Sequence, residues 1–283
     1  MPPRAFLAVI ATLAACSAPM RTPVVATTAA PTSTPSVLDD SALASMGARL
    51  EREFGPARVP VRTIGILLYD GYTTLDAMGP HQVLSELPGV TIKLIAKARG
   101  PVRNMTGLTV IADHAISEVD SLDLLVVPGG FGGTYRAAHD TAITNWVRRV
   151  HPTTRFTTSV CTGAWILGGA GLLTGLPATT HWWGREILER DYGATYHPER
   201  WVRSGKIWTS AGVTAGMDMS LALVREIRGE RYAQAAMLDL EYDPAPPVRG
   251  GSERNTDPAL VAYIRRMYDA GLAPVQAELR APR

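Results

Sequence analysis

Compact apolar runs alternate along the chain with stretches whose apolar positions recur every three or four residues. Residues 63–69 (TIGILLY), 91–96 (TIKLIA), 122–127 (LDLLVV) and 156–160 (FTTSV) are short runs with β-branched side chains, the signature of strands buried on both faces. Between them, residues 80–87, 140–150 and 162–173 read as helices. This alternation predicts an α/β fold with a mostly parallel central sheet covered on both sides. Residues 104–116, and 201–210 around Ser204-Gly205, read as hairpin or edge strands. Residues 215–228 and 230–241 read as two more helices. A Pro-rich turn at 243–247 follows, then an amphipathic helix at 258–270 predicted to dock on the domain. Upstream, Leu43, Met46, Leu50 and Phe54 keep helical spacing behind a cap at Asp40 or Ser41. No internal repeat is visible.

The front of the chain departs from this pattern. MPPRAFLAVIATLAAC sets one basic residue, Arg4, ahead of an apolar stretch, with small residues before Cys16. That is the build of an export signal. Residues 1–15 are expected to be a signal peptide whose end resembles a bacterial lipobox. Cys16 would then be lipidated and hold the protein to the extracytoplasmic face of a membrane. An ordinary secretory signal with an incidental cysteine is the other reading. Residues 16–40, mostly Pro, Thr, Ser and Ala, bury no apolar face and are expected to form a tether. Residues 41–61 form an N-terminal helix and lead-in, and residues 62–283 the globular domain.

Composition narrows the partners. The 283 residues are 46% hydrophobic and 19% charged, enough for a substantial core. Lys and Arg total 28 against 26 acids, so no basic stripe for nucleic acid is indicated. No apolar run reaches the roughly 18 residues of a bilayer span, so membrane contact is expected only through Cys16. If lipidation consumes Cys16, Cys161 is the sole remaining thiol of the two cysteines, and no internal disulfide forms.

Residues 156–174, FTTSVCTGAWILGGAGLLT, carry the candidate chemistry. A strand ends at Val160, Cys161 follows at once, and Thr162-Gly163-Ala164 open a helix. This is a nucleophile elbow with Cys in place of Ser, and the helix N-terminus behind it favours thiolate. A buried structural thiol is the alternative. Val126-Val127-Pro128-Gly129-Gly130 ends another strand with N–H groups expected to be free at the same sheet edge. They form either an oxyanion site or a plain Gly-rich turn. Asp76, in YDGYTTLDAMGP ahead of the helix expected at Pro80, would reach the same rim. Beside a thiol it would hold its proton and serve as acid and then base; a helix-capping aspartate is the alternative. His181, in ATTHWW, either assists the thiol or lines the cleft. Trp165, Trp182 and Trp183 are pocket or core. Asp218 reads as a first-turn helix carboxylate. The other histidines show no metal-ligand spacing, and no Gly-x-Gly-x-x-Gly opens the first helix. Neither metal nor cofactor is expected.

The segments TTLDAMGPHQVL, VVPGGFG, SVCTGAWILGGAGLLTG, ATTHWW, SAGVTAGMDMSLALV and EYDPAPP together make the region 63–247 resemble a known family. It is similar to the PfpI-like branch of the class I glutamine amidotransferase-like superfamily, and within it to the isonitrile hydratases. The resemblance implies a flavodoxin-like three-layer sandwich, usually a homodimer, acting on a small molecule without a cofactor. It implies Cys161 as nucleophile, Asp76 as acid–base carboxylate, Thr162 as an N–H or hydroxyl contributor and Gly130 in the oxyanion region. The activity implied is hydration of isonitriles to N-formyl amines by a hydro-lyase. Relatives that act on reactive carbonyls as glyoxalases or deglycases, or that sense oxidants or ligands, leave those alternatives open. Only some thirty-six residues follow Pro247, so a regulator with a C-terminal helix-turn-helix domain is not expected.

Overall fold

The structure is a computed structural model and describes residues 40–281. The expected leader, most of the tether and Cys16 lie outside the described residues. The strands are β1 (Thr63–Leu67), β2 (Thr91–Ala96), β3 (Gly100–Arg103), β4 (Thr109–Ala112), β5 (His114–Ala115) and β6 (Leu124–Val127). They continue with β7 (Phe156–Val160), β8 (Pro177–Ala178), β9 (Thr195–Tyr196), β10 (Trp201–Ser204) and β11 (Ile207–Ser210). The helices are α1 (Asp40–Phe54), α2 (Thr74–Ser85), α3 (Gly132–His139), α4 (Thr141–Val150) and α5 (Gly163–Gly169). The others are α6 (Arg185–Tyr192), α7 (Ala215–Arg228), α8 (Glu230–Asp239) and α9 (Pro258–Arg280).

Seven strands form the central sheet in the order β10-β11-β7-β6-β1-β2-β5. All neighbours run parallel except the β10–β11 hairpin at one edge. Helices α2, α7 and α8 pack together on one face, and α3, α4, α5 and α6 on the other. The expected flavodoxin-like three-layer sandwich is therefore the fold. Burial on both faces explains the unbroken apolar strands: every residue of β6 and β7 is buried. Inside β7 the Thr158 hydroxyl is satisfied locally, donating to Leu125 O at 2.9 Å.

Several boundaries differ from the sequence expectation, each for a local reason. Proline's preference for a first helical turn points to Pro80 as a start, yet α2 begins at Thr74 and carries Pro80 inside it. Asp76 thus lies in the first turn of α2 rather than ahead of it. The helix expected from residue 140 is preceded by a second one, α3. Asp140 separates them, because its Oδ1 accepts from Ala142 N at 2.9 Å and restarts the helix as α4. Helix α5 stops at Gly169, short of residue 173. The hairpin expected within 104–116 starts earlier, and β3–β4 form a separate two-stranded sheet. Helix α9 runs through Pro274 to Arg280, ten residues beyond the expected end. Asp218 does sit in the first turn of α7, bound by Arg200 and by the Tyr242 hydroxyl.

Candidate active site

Parallel strands β1, β6 and β7 end together, and the loops beyond their carboxyl ends build the site, as open α/β sheets favour. Cys161 follows β7 directly with φ +57°, a left-handed conformation that costs a non-glycine residue energy and persists only when its surroundings fix it. Here they do. Its N–H is shared between Ser210 O and Ala211 O, each at 3.1 Å. Its carbonyl accepts from Thr180 Oγ1 at 2.9 Å. Gly129 passes so close that a Cβ there would lie 2.8 Å from Cys161 Cβ and 2.6 Å from Thr162 N. Only glycine permits that approach.

The loop before α2 is stitched to the loop after β6. Thr73 N donates to Gly129 O at 2.8 Å, and Tyr72 bridges to Gly130. This places Asp76 beneath Gly129, whose N–H donates to Asp76 Oδ2 at 3.0 Å. Asp76 is 0% exposed, and its Oδ1 is buried with no hydrogen-bonding N or O partner. Cys161 is its titratable neighbour. Burial pushes the Asp76 carboxyl up to about 7, against the pull of the Gly129 N–H and of Cys161. The two side chains expected to share a proton are therefore adjacent.

The thiol departs from expectation. Burial first, and the Asp76 charge second, push the Cys161 thiol well above its ordinary value, outweighing the N–H groups of Thr162 and Val213 aimed at sulfur. The α5 N-terminus does not overcome desolvation in the closed site. At neutral pH the thiol therefore keeps its proton while the Asp76 carboxyl stands about half ionised, and the Thr162 and Val213 N–H groups stand ready for a charge that appears during reaction.

The expected free donors of the Gly129-Gly130 turn are not free. Gly129 N–H is taken by Asp76, and Gly130 N–H donates to Thr162 Oγ1 at 3.1 Å. In the resting site the Gly130 N–H is thus engaged within the turn. The Thr162 hydroxyl is likewise committed, donating to Gly130 O at 2.7 Å. What Thr162 offers the site is its backbone N–H. Tyr69 and Thr134 brace this turn: the Tyr69 hydroxyl donates to Pro128 O at 2.7 Å and meets Thr134 Oγ1 at 2.9 Å.

His181 lies on the opposite wall. A Cβ on Gly212 would come within 2.5 Å of its ring, and Tyr268 meets it edge-on at 5.7 Å. Desolvation lowers the imidazole to about 4, so it is neutral at pH 7. Trp165 is core, its Nε1 donating to Gly184 O at 3.1 Å, whereas Trp182 and Trp183 pack around Tyr268. An open groove of about 960 Å³ between α1 and α8, lined by Phe54 and Tyr232 among others, includes neither Asp76 nor Cys161 in its walls. Among the described residues no three His, Cys, Asp or Glu side chains cluster to hold a metal, and no helix is long and apolar enough to cross a membrane.

Sequence reasoning does not single out Val213, Tyr69, Thr134, Phe131 or Tyr268. Val213 has φ +45°, and neither its type nor its neighbours foretell it. Tyr268 reaches the site only through the tertiary path of α9.

The chain's relatives share this architecture. The model of the DJ-1/PfpI family matches residues 62–226, which span every strand of the sheet and all the residues around Cys161 except those of α9. An isonitrile hydratase of Pseudomonas putida is 39% identical over 203 residues, covering 72% of this chain and 88% of that protein. The crystal structure of a THiJ/PfpI family protein from Pseudomonas syringae superposes with a TM-score of 0.74 at 35% identity, covering 77% of this chain and 90% of that one. The HTH-type transcriptional regulator CdhR of Pseudomonas aeruginosa is 32% identical over 135 residues, 47% of this chain and 40% of its own length. With the sandwich, the strained cysteine elbow and the matched segment in agreement, this chain belongs to the DJ-1/PfpI family.

Proposed function

We propose that the protein is an enzyme that hydrates organic isonitriles to N-formyl amines, with Cys161 as nucleophile and Asp76 as proton shuttle. One observation carries this reading: a buried carboxyl poised near pH 7, with one oxygen unpartnered, sits beside a thiol on a strained elbow. Resemblance to an isonitrile hydratase supports it.

Asp76, in its ionised form, takes the Cys161 thiol proton and delivers it to the terminal carbon of R–NC as the sulfur bonds to that same carbon. The product is a thioimidate, R–N=CH–S–Cys161. The thiol proton has then passed through the carboxyl to carbon, and Asp76 is ionised. Asp76 next takes a proton from water, whose hydroxide adds to the carbon, and returns that proton to nitrogen. Collapse of the R–NH–CH(OH)–S adduct breaks the C–S bond. The hydroxyl proton returns through Asp76 to sulfur, and R–NH–CHO leaves. The N–H groups of Thr162 and Val213 hold the sulfur's charge whenever its proton is away.

A hemithioacetal route to reactive carbonyls would use a base on the thiol; the His181 ring packs against Gly212 and Tyr268. Ethyl isonitrile is expected to give N-ethylformamide, followed by NMR. Absence of formamide with a panel of small isonitriles, alongside brisk consumption of methylglyoxal, overturns the assignment. The same proposal includes lipidation of Cys16 and action as an extracytoplasmic homodimer; the mass of the mature N-terminus and the sedimentation coefficient read these directly.

A further inference from the structure

Two walls flank the Cys161 sulfur. One is the turn Gly129-Gly130, with Phe131 next in the chain; Gly129 lies against Cys161 Cβ. The other is the Gly212-Val213 loop, whose Val213 N–H points at sulfur, backed by the His181 ring against Gly212. Tyr268 of α9 bridges both. Its ring lies 5.6 Å from Phe131 and 5.7 Å from His181, with Trp183 at 5.2 Å completing the aromatic cluster. Burial first, and the Cys161 charge second, push the Tyr268 phenol up.

The helix is held firmly in this position. Asp269 accepts from Trp183 Nε1 at 2.7 Å, Arg265 binds Glu253 at 3.1 Å, and Arg136 pairs with Glu278 at 2.5 Å. Leu272 and Val275 are buried, Val275 against Gly132. Gly271 lets the helix approach: a Cβ there would lie 2.9 Å from the Phe131 ring. Under this cover Cys161 is 5% exposed.

We infer that Tyr268 is the specificity-determining residue of the site, roofing the approach to Cys161 and setting the width of the substituent R that can accompany the reacting carbon. The inference rests on the isonitrile reading for the identity of the substrate, but the roof itself does not. Helix α9 lies beyond the residues matched by the family model, so the roof is a feature of this chain rather than of the matched segment. A slim alkyl group threads between Phe131 and His181; a ring or branched group meets the phenol. One methylene more or less in a closed apolar pocket changes selectivity by about 10- to 200-fold.

The test uses the full chain and two readouts. Alkylation of Cys161 by slim iodoacetamide and by bulky N-phenylmaleimide is followed on the peptide that carries it. In Tyr268→Ala the bulky-to-slim rate ratio should rise roughly tenfold, while Tyr268→Phe stays within about twofold of the parent. The kcat/KM ratio for cyclohexyl over ethyl isonitrile should shift by the same factor. Gly271→Leu, which prises the helix from Phe131, should relax both ratios from a different position. It serves where Tyr268→Ala melts early. An unchanged labelling ratio in the folded variants overturns the roof. A raised labelling ratio with no isonitrile consumed by any form upholds the roof and overturns the hydration reading.

Discussion

Asn in place of Asp76 is expected to make the protein more stable above neutral pH and, in the same step, inert. Burial raises the Asp76 carboxyl from an ordinary 3.8 to about 7. Between those values the native state keeps a proton that the unfolded chain has released. The stability of the parent therefore falls as pH rises from about 4 to 7 and levels off above. A carboxyl held that far above its ordinary value costs the native state about 4 kcal/mol at most once it is forced to ionise. Asn has the same shape, keeps an acceptor for the Gly129 N–H and never ionises. The stability difference between variant and parent should open from near zero at pH 4 towards about 4 kcal/mol at pH 8, read by urea unfolding across a pH series. A difference that stays constant with pH would refute the proton-holding carboxyl. Formamide production should drop by about 10²- to 10⁴-fold, the range for loss of a positioned acid–base group. A residue retained against its own contribution to stability marks a working site.

Cys161 offers the converse experiment. Cys161→Ala and Cys161→Gly should both lose turnover by about 10⁴-fold or more if sulfur is the nucleophile. Their stabilities should differ in an unusual sense. In most positions alanine is the steadier residue, since glycine loses more freedom on folding. At φ +57° the Cβ itself is the burden, and the glycine variant should be the more stable by about 1 kcal/mol. Equal or reversed melting temperatures would show that the elbow carries no strain. Turnover retained by either variant would remove Cys161 from the chemistry.

The strands and the elbow are legible in the sequence because their determinants are local. LLVV and FTTSV are apolar or small throughout, and Cys161 stands where a buried strand meets Thr-Gly-Ala. Strand order alone places Asp76 at the right rim, although its helix starts earlier than Pro80 suggests. What escapes a sequence reading are consequences of packing. Gly130 looks like a free donor in sequence, and only the fold brings the Thr162 hydroxyl onto its N–H. Helix N-terminus logic favours a thiolate at Cys161, and only the depth of burial reverses it. The packing of His181 against the Gly212 loop and Tyr268 is likewise invisible in the sequence. The last helix reads as a docking element, but its ten extra residues and its destination over the cysteine depend on contacts far away in the chain.

The shared N–H of Cys161 ties the elbow to Ser210, the last residue of β11, and to Ala211 just past it, and β11 is joined outward only to β10 at the rim of the sheet. Border elements fray before interiors do. The aim of the sulfur is thus tied to the outermost hairpin: loosening there, with the core still intact, would release the N–H of the contorted cysteine and leave the Thr180 hydroxyl and the Gly129 turn to hold it.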